Sequence, residues 1–218
     1  ALRERGIVAS VAHSNATCQE VMQAYDEGVS CLTHFYSAMS GVTRRNAFRV
    51  AGVIEAGYLI SDLYVEVIAD GCHLPKELLQ LIYKVKGPER IILVTDSMRG
   101  AGLAEGATVM LGDKKAGVPA IIEDGVAKLM DRTAFAGSVA TADRLVRTFR
   151  QLTGAPLHEV VRMMSLNPAK LLGISSRKGS IAAQKDADLL VFDEDITLKH
   201  IMVRGTLLPS PEGGQPCS

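Results

Sequence analysis

The sequence predicts an α/β fold in which buried parallel strands alternate with helices, followed by a smaller region rich in β-strands. Three stretches, residues 7–13, 29–34 and 91–96, are almost continuously apolar, as strands buried on both faces are. Segments with the apolar spacing of helices separate them. Short alternating runs begin after Gly106, which is typical of antiparallel strands. We therefore expect right-handed crossovers between parallel strands in the first half of the chain.

The first helix has signals for both of its ends. Asn15 or Thr17 can cap its N-terminus, and Gly28 can end it. The strand at 29–34 follows directly, and a polar loop is predicted at 40–46. These signals predict one complete strand-helix-strand unit.

A second unit of the same kind is predicted further along the chain. Residues 63–69 form an apolar run, and Pro75 opens a helix at 76–85, because proline is tolerated in the first turn of a helix. The run at 91–96 follows this helix. With the strands at 7–13 and 29–34, the first half therefore holds four predicted parallel strands.

The second half is predicted to hold a hairpin, two helices and two closing strands. An Asp124-Gly125 pair favours a tight turn between antiparallel strands. An Asn167-Pro168 pair breaks the second helix, because the residue before proline disfavours helical backbone. The predicted elements are strands at 108–111 and 120–129, helices at 140–152 and 157–172, strands at 188–193 and 200–205, and a disordered tail at 211–218.

Composition excludes several classes of protein. The 218 residues are 47% hydrophobic and carry 24 basic and 24 acidic side chains, so a sizeable core is possible and no global field attracts nucleic acid or a membrane. No run reaches the roughly 20 apolar residues of a membrane span. The four cysteines form no CxxC pair, which predicts reduced thiols. We expect a globular cytoplasmic protein that binds neither nucleic acid nor membrane.

Three polar residues, His13, His34 and Asp96, stand at the carboxyl ends of predicted strands. In α/β barrels the catalytic groups project from this edge. Taken singly, each residue has a structural alternative: a histidine satisfied within the core or a loop, or an aspartate that caps a helix. Because all three can bind metal or move protons, their repetition indicates an enzyme.

The two histidines can share one divalent cation, since neutral imidazoles are common ligands of catalytic metals such as zinc. His13 and His34 are separated by one predicted strand-helix unit, which would place them on adjacent strand ends. A carboxylate beside such an ion can take a proton from water and deliver it to a leaving group. Asp96 is therefore the candidate general acid and base.

Several short motifs stand in a fixed order along the chain: His-Ser-Asn-Ala at 13–16, Thr-His-Phe-Tyr-Ser-Ala-Met at 33–39, Ala-Asp-Gly-Cys-His at 69–73, Thr-Asp-Ser-Met at 95–98 and Phe-Ala-Gly-Ser at 135–138. A Gly-Ser-Ile and Asp-Ala-Asp-Leu pattern closes the series. In this order the motifs resemble the N-acetylglucosamine-6-phosphate deacetylase family of the amidohydrolase superfamily. The closing pattern is shared across the superfamily, whereas the first two motifs are much more specific.

The resemblance implies a metal-dependent hydrolase with a TIM-like (β/α)₈ barrel and a small β-sandwich. The implied reaction converts N-acetylglucosamine 6-phosphate to glucosamine 6-phosphate and acetate in amino-sugar catabolism. His13 and His34 would be metal ligands, and Asp96 the catalytic residue. The implied cofactor is a divalent metal ion, zinc or else iron, manganese or cobalt. The implied partner is a small amino-sugar phosphate, and a homo-oligomer, a dimer, is expected.

Substrate contacts are also implied by the resemblance. His73 would hydrogen-bond the sugar and help to hold the carbonyl group, and Arg45 would bind the phosphate with its fork of charged donors. The neighbouring Arg44 is an alternative for this contact, because the match to the family can be shifted by one residue. Ser37 stands where the family usually has asparagine, which removes an amide donor near the phosphate. The remaining contacts are the backbone of Ser37 and Ala38 for the phosphate, and Phe135, Ala136 and Gly137 for the acetyl and sugar side.

Part of the family's pattern is missing from these residues. No His-x-His pair occurs, and a complete barrel takes about 250 residues by itself. We therefore expect the C-terminal portion of a deacetylase, with further sequence ahead of Ala1 and the third metal ligand outside this chain. The predicted regions are a partial barrel at 1–105, a hairpin, sandwich or inserted segment at 106–137, helices completing the barrel at 138–175, and sandwich strands at 176–210.

Two other interpretations remain open at this point. The chain could belong to another amidohydrolase, such as a dihydroorotase-like or dipeptidase-like enzyme, which would have no phosphate site. It could also be an incomplete chain with no activity alone.

Overall fold

The computed structural model describes residues 1–209, and the predicted tail at 211–218 lies outside the described residues. Thirteen strands and six α-helices are found in this range. The helices are α1 (Cys18–Asp26), α2 (Val53–Leu59), α3 (Lys76–Lys86), α4 (Ala142–Thr153), α5 (Leu157–Met164) and α6 (Leu166–Leu171). The strands are β1 (Ala9–Val11), β2 (Val29–Leu32), β3 (Thr43–Arg45), β4 (Phe48–Val50), β5 (Tyr64–Val67), β6 (Ile91–Leu93), β7 (Thr108–Leu111), β8 (Val118–Glu123), β9 (Val126–Leu129), β10 (Phe135–Gly137), β11 (Leu189–Phe192), β12 (Leu198–Val203) and β13 (Thr206–Leu207).

A four-stranded parallel sheet organises the first half, in the order β1-β2-β5-β6. Cys31 lies opposite Tyr64 in the β2–β5 pair, and Val65 lies opposite Ile91 in the β5–β6 pair. The prediction of four parallel strands is confirmed. Within residues 1–209 this sheet has four strands, so these residues do not close an eight-stranded barrel by themselves.

Helix α1 begins at one of the two capping residues that the sequence predicts. The Thr17 side chain accepts a hydrogen bond from the backbone N–H of Glu20 at 3.3 Å, and the Thr17 N–H donates to the Glu20 carboxylate at 2.7 Å. This reciprocal cap satisfies two N–H groups that the helix start leaves free. Of the two predicted caps, Thr17 rather than Asn15 therefore begins the helix, which ends at Asp26, two residues before Gly28.

The core lies between the parallel sheet and its helices. Alternate residues of each strand face this core because side chains in a strand point to opposite faces. Helices α1 to α5 contribute to the same cluster, whereas Cys31, Tyr64 and Ile92 form a smaller cluster with Leu171 of α6. The largest fully buried side chains include Phe35, Phe149, Leu32, Leu63, Leu79 and Ile82.

Two local predictions are wrong. The predicted loop at 40–46 contains β3, which pairs with β4 in an exposed antiparallel hairpin. The predicted break at Asn167-Pro168 lies instead at Ser165, whose backbone (φ −129°, ψ −66°) separates α5 from α6. Pro168 occupies the first turn of α6, where its missing N–H breaks no helical hydrogen bond, so the proline follows the break rather than causing it.

The second half forms two antiparallel sheets, ordered β10-β9-β8-β7 and β11-β12-β13. Glu123 pairs with Val126 across the predicted Asp124-Gly125 turn, and both turn residues have positive φ, as two-residue hairpin turns require. The hairpin prediction is confirmed and extends to four strands. Among the helices of residues 1–209, none is long and apolar enough to cross a membrane.

Candidate functional site

His13, His34 and Asp96 lie at one edge of the parallel sheet. They follow β1, β2 and β6, and parallel strands present their carboxyl ends on the same side. All three have left-handed backbone, with φ values of 44°, 35° and 46°. Such backbone is uncommon outside glycine and clusters at functional sites. The edge that the sequence predicted for catalysis is thus the strained edge of the sheet.

The two histidine side chains contact each other. Their rings are stacked with centroids 4.6 Å apart and an interplanar angle of 25°. His34 is buried, and its Nδ1 atom has no hydrogen-bond partner among the described residues. Because leaving a buried polar atom unpaired costs about 1–3 kcal/mol, a partner for this nitrogen is expected at the site. A divalent cation bound by both imidazoles fits this requirement.

These histidines fit a metal ion as part of a donor set. Within residues 1–209, no group of three or more His, Cys, Asp or Glu side chains is arranged to hold a metal. Catalytic zinc sites generally use three protein ligands. The donors that the described residues offer to such an ion are therefore the imidazole pair of His13 and His34.

Glu66 is a polar residue of this edge that the sequence analysis missed. It lies within β5, and its pKa is raised because burial disfavours the charged carboxylate, although the backbone N–H and the ring of His34 partly offset this. The negative charge of Asp96 adds to the increase. Glu66 thus stands near both His34 and Asp96. It was detectable as the one charged residue inside the apolar run at 63–69.

Asp70 and His73 form a hydrogen-bonded pair at the end of β5. The His73 Nδ1 atom lies 2.7 Å from Asp70 Oδ2, and the backbone N–H groups of Cys72 and His73 each donate to Asp70 Oδ1 at 2.9 Å. Burial would raise the pKa of Asp70, but these hydrogen bonds outweigh it and the pKa is lowered. Asp70 was not predicted as a site residue, although its Asp-Gly-x-His spacing is visible in the sequence.

Strand β10 brings the predicted Phe135, Ala136 and Gly137 to the loop that carries His73. The rings of Phe135 and His73 have centroids 5.0 Å apart, and Ala136 is buried. Gly137 has a φ of 142°, a backbone conformation that side chains rarely adopt. Met98, on the loop after β6, donates its N–H to the carbonyl of residue 138 at 2.9 Å. The antiparallel sheet is therefore attached to the loop that follows β6.

The turn after β2 carries the predicted Ser37 and Ala38. Tyr36 and Ala38 share positive φ with His34, at 81° and 50°. Backbone of alternating handedness can form a concavity that binds anions. The Ser37 N–H already donates to the His34 carbonyl at 2.9 Å, and no backbone partner takes the Ala38 N–H within residues 1–209. Of the Ser37 and Ala38 backbone N–H groups, that of Ala38 is therefore the one available to bind an anion.

Arg45 lies in β3 rather than in a loop. It is exposed in a groove of about 660 Å³ that Glu20 also lines. Hydrogen bonds from Thr17 and, to a smaller extent, the charge of Arg45 lower the pKa of Glu20. Arg44 faces the opposite side of the hairpin, as successive strand residues do. Among residues 1–209, no hydrogen bond or ring contact joins either arginine to His13.

Three kinds of comparison relate this chain to known proteins. A 32% identical relative, N-acetylglucosamine-6-phosphate deacetylase of Lysinibacillus sphaericus, aligns with 94% of this chain and 50% of its own length. The N-acetylgalactosamine-6-phosphate deacetylase of Escherichia coli O157:H7 is 31% identical, with 94% of this chain and 52% of its own length covered. The chain thus spans about half the length of the curated relatives it matches.

Solved structures show the same likeness. The N-acetylglucosamine-6-phosphate deacetylase of Thermotoga maritima superposes with a TM-score of 0.86 at 38% identity, covering 96% of this chain and 55% of that one. A β-aspartyl dipeptidase of Fervidobacterium islandicum shares only the fold, with a TM-score of 0.57 at 15% identity. The Amidohydrolase family model matches residues 3–210. Because that match covers nearly the whole sequence, the chain belongs to the amidohydrolase family.

Proposed function

We propose that this chain provides metal-binding, proton-transfer and substrate-binding residues of a deacetylase that acts on an amino-sugar 6-phosphate. The observation that carries the proposal is the stacked pair of His13 and His34 on the same strained edge as Asp96. The names of the relatives in the preceding comparisons support this substrate class. N-acetylglucosamine 6-phosphate would yield glucosamine 6-phosphate and acetate.

His13 and His34 would hold a divalent metal ion together with donors outside the described residues. Imidazole nitrogens suit zinc, iron, manganese and cobalt, and the unpaired Nδ1 of buried His34 supports a cation at this position. When bound, the ion supplies Lewis acidity to the amide carbonyl and to the attacking water. Members of the amidohydrolase family generally depend on metal ions, which agrees with this assignment.

Asp96 would move the proton that the reaction requires. Its carboxylate takes a proton from water as the water oxygen bonds to the acetamide carbonyl carbon. The same proton then passes to the amine nitrogen as the C–N bond breaks, so that acetate and the free amino sugar are released. One carboxylate can serve both steps because it is regenerated when the amine leaves.

The substrate would extend from the histidine pair towards the turn after β2. Ala38, whose backbone N–H has no backbone partner within residues 1–209, and the guanidinium of Arg45 remain the candidate donors to the phosphate. His73 and Phe135 would contact the sugar and the acetyl group. For Arg45 to bind the phosphate, the exposed β3–β4 hairpin that bears it would have to lie against the substrate in the assembled enzyme.

The four parallel strands would form strands five to eight of a (β/α)₈ barrel, and the sheet β11-β12-β13 would belong to a β-sandwich. This proposal rests on the strand order and on the match to about half of each relative. The thiols of Cys18, Cys31 and Cys72 are unpaired, which supports the expected reducing cytoplasm.

The N-acetylgalactosamine 6-phosphate isomer is a second candidate substrate, because one relative at similar identity carries that name. Acetate release should be measured from both sugar phosphates, with zinc, iron, manganese or cobalt supplied to protein stripped of metal. We expect activity that depends on metal and a preference for one sugar. An enzyme in which this chain is joined to the remaining metal donors, and which is folded and loaded with metal, would refute the proposal if it released acetate from neither sugar.

Metal binding tests the histidines independently of turnover. Replacing His13 or His34 by alanine should reduce bound metal, measured by elemental analysis after equilibrium dialysis, by at least about tenfold. His200→Ala is the matched control, because His200 is an exposed residue of β12. Equal metal content in all three variants would contradict the assignment of the imidazole pair.

A further inference from the structure

The carboxylate of Asp70 has a geometry that a purely structural role does not require. Its side chain is fully buried, and Oδ1 accepts the two backbone N–H groups of Cys72 and His73 that close the loop after β5. Those two bonds alone would hold the loop. Oδ2 is left over, and it lies 2.7 Å from Nδ1 of the His73 ring.

This contact determines which ring nitrogen of His73 carries the proton. An ionised carboxylate only accepts hydrogen bonds, so Nδ1 must be the donor. In the neutral imidazole, Nε2 is then an acceptor. Within residues 1–209, Nε2 of His73 makes no hydrogen bond, and the ring is only 11% exposed and lies against Phe135. The unused acceptor is therefore available at the face that Phe135 borders.

Arg144 of α4 holds the Asp70 loop in place. Its guanidinium donates to the Asp70 carbonyl at 2.8 Å and to the Gly125 carbonyl at 2.9 Å. The first bond fixes the backbone of Asp70, and the second attaches the β8–β9 turn to the same side chain. With its backbone held and Oδ1 engaged twice, the carboxylate has little freedom to turn away from His73.

We propose that Asp70 is a positioning residue that fixes His73 as the Nδ1–H tautomer, so that Nε2 accepts a hydrogen bond from a hydroxyl group of the sugar substrate. The inference rests on the proposed deacetylase function and deepens it by naming the chemistry of one contact. With Nδ1–H given to Asp70, a bare Nε2 can only accept, and the acetyl carbonyl is also only an acceptor. The sugar hydroxyl is therefore its partner.

Asp70→Asn tests the tautomer by reversing it. The backbone N–H groups of Cys72 and His73 still require an oxygen at Oδ1, so the new amide nitrogen must take the place of Oδ2. That NH₂ group is a donor, and it favours a His73 ring with bare Nδ1 and protonated Nε2. The same isosteric change at a triad aspartate is known to leave geometry intact while imposing the wrong tautomer.

The readout is the long-range ¹H–¹⁵N NMR spectrum of the labelled full chain, in which the two tautomers give distinct nitrogen shifts. His73 is assigned by its disappearance in His73→Gln. We expect Nδ1–H in the unmodified protein and Nε2–H in Asp70→Asn. Asp124→Asn is the matched control, since Asp124 is a neighbouring exposed carboxylate that does not touch His73, and its spectrum should match the unmodified protein.

An Nε2–H tautomer or a ring protonated on both nitrogens in the unmodified protein overturns the proposal, and so does an unchanged tautomer in Asp70→Asn. If Asp70→Asn fails to fold, the unmodified spectrum still decides. In turnover assays of the active enzyme, Asp70→Asn should lower kcat/KM by about 10- to 100-fold. It should add little to His73→Gln, because both changes remove the same contact.

The deacetylase function and the Asp70–His73 pair can be refuted separately. An inactive but folded and metal-loaded protein with an Nδ1–H His73 would refute the deacetylase and keep the Asp70–His73 pair. An active enzyme with the opposite tautomer would keep the deacetylase and refute the pair. An additive double variant would show that Asp70 acts on the reaction by a route other than His73.

Discussion

Lys86 offers a test of the fold that does not depend on the function. Its side chain, at the end of α3, is buried, and its amine donates to the Ile60 carbonyl at 2.8 Å and to the Ser61 carbonyl at 3.4 Å. These are carbonyls at the C-terminal end of α2, which helical hydrogen bonds leave free. Burial, with a contribution from the nearby charge of Arg90, lowers the pKa of Lys86 from 10.5 to about 8.

The sign of the effect on stability follows from proton binding. Below about pH 8 the folded protein holds a charged amine that the unfolded chain accommodates more easily. Between the folded and unfolded pKa values the unfolded chain binds more protons, so stability rises with pH. A tenfold change in proton affinity corresponds to about 1.4 kcal/mol, so the charge of Lys86 costs the fold at most about 3 kcal/mol.

Denaturant unfolding of the protein and of Lys86→Met isolates this contribution. Relative to the variant, the unmodified protein should gain about 1–2 kcal/mol between about pH 7 and about pH 9.5, after allowance for screening by solvent. Lys84→Met is the matched control, because Lys84 lies in the same helical turn but is exposed. A pH-independent difference between the protein and Lys86→Met would refute the reasoning.

Three further substitutions test other parts of the molecule. Asp96→Asn should lower kcat for acetate release by about 10²- to 10⁴-fold and leave metal content unchanged, with Asp195→Asn as an exposed control; full activity would refute proton transfer by Asp96. Gly57→Ala should lower the free energy of unfolding by about 1–3 kcal/mol, because the new Cβ would lie 2.6 Å from the buried Phe35 ring; an unchanged melting temperature would contradict that packing. Arg144→Met should speed amide hydrogen exchange in the β8–β9 turn, and unchanged exchange would show that its bond to the turn is dispensable.

The parallel sheet was predictable because its signals are local and strong. Nearly continuous apolar runs mark the strands, although only β5 and β6 are largely buried and β1 has no buried residue. The reciprocal pairing of Thr17 and Glu20 marks the start of α1. The β3–β4 hairpin lacks such a signal. Thr43, Arg44 and Arg45 are all exposed, so burial left no alternation of polar and apolar residues to detect.

The helix boundary in the second half shows how one residue can indicate two structures. Proline ends a helix that precedes it and also begins a helix that contains it in the first turn. Pro168 has the second role, and the unusual backbone of Ser165 makes the break. Serine is compatible with both helix and turn, so the sequence held no feature that distinguished these two positions.

The candidate site was only partly predictable because its residues lie at different places relative to the apolar runs. His13, His34 and Asp96 follow apolar runs and are conspicuous there. Glu66 interrupts its run in the middle, where a charge usually suggests an error in the strand assignment. The role of Asp70 depends on the backbone folding back over three residues, which brings the side chain of His73 to Oδ2. No periodic pattern in the sequence predicts this turn of the backbone between Asp70 and His73.

The chemistry of the side chains explains why residues other than glycine occupy the left-handed positions at this edge. Glycine would adopt the same φ at His13, His34 and Asp96 without cost, but it would remove both imidazoles and the carboxylate. Histidine and aspartate are among the residues that tolerate this conformation best. Two proposed metal ligands and one proposed proton-transfer residue share this backbone conformation, so we infer that the conformation serves to direct their side chains. The remaining strain is borne by the sheet, whose hydrogen-bonded strands hold all three turns.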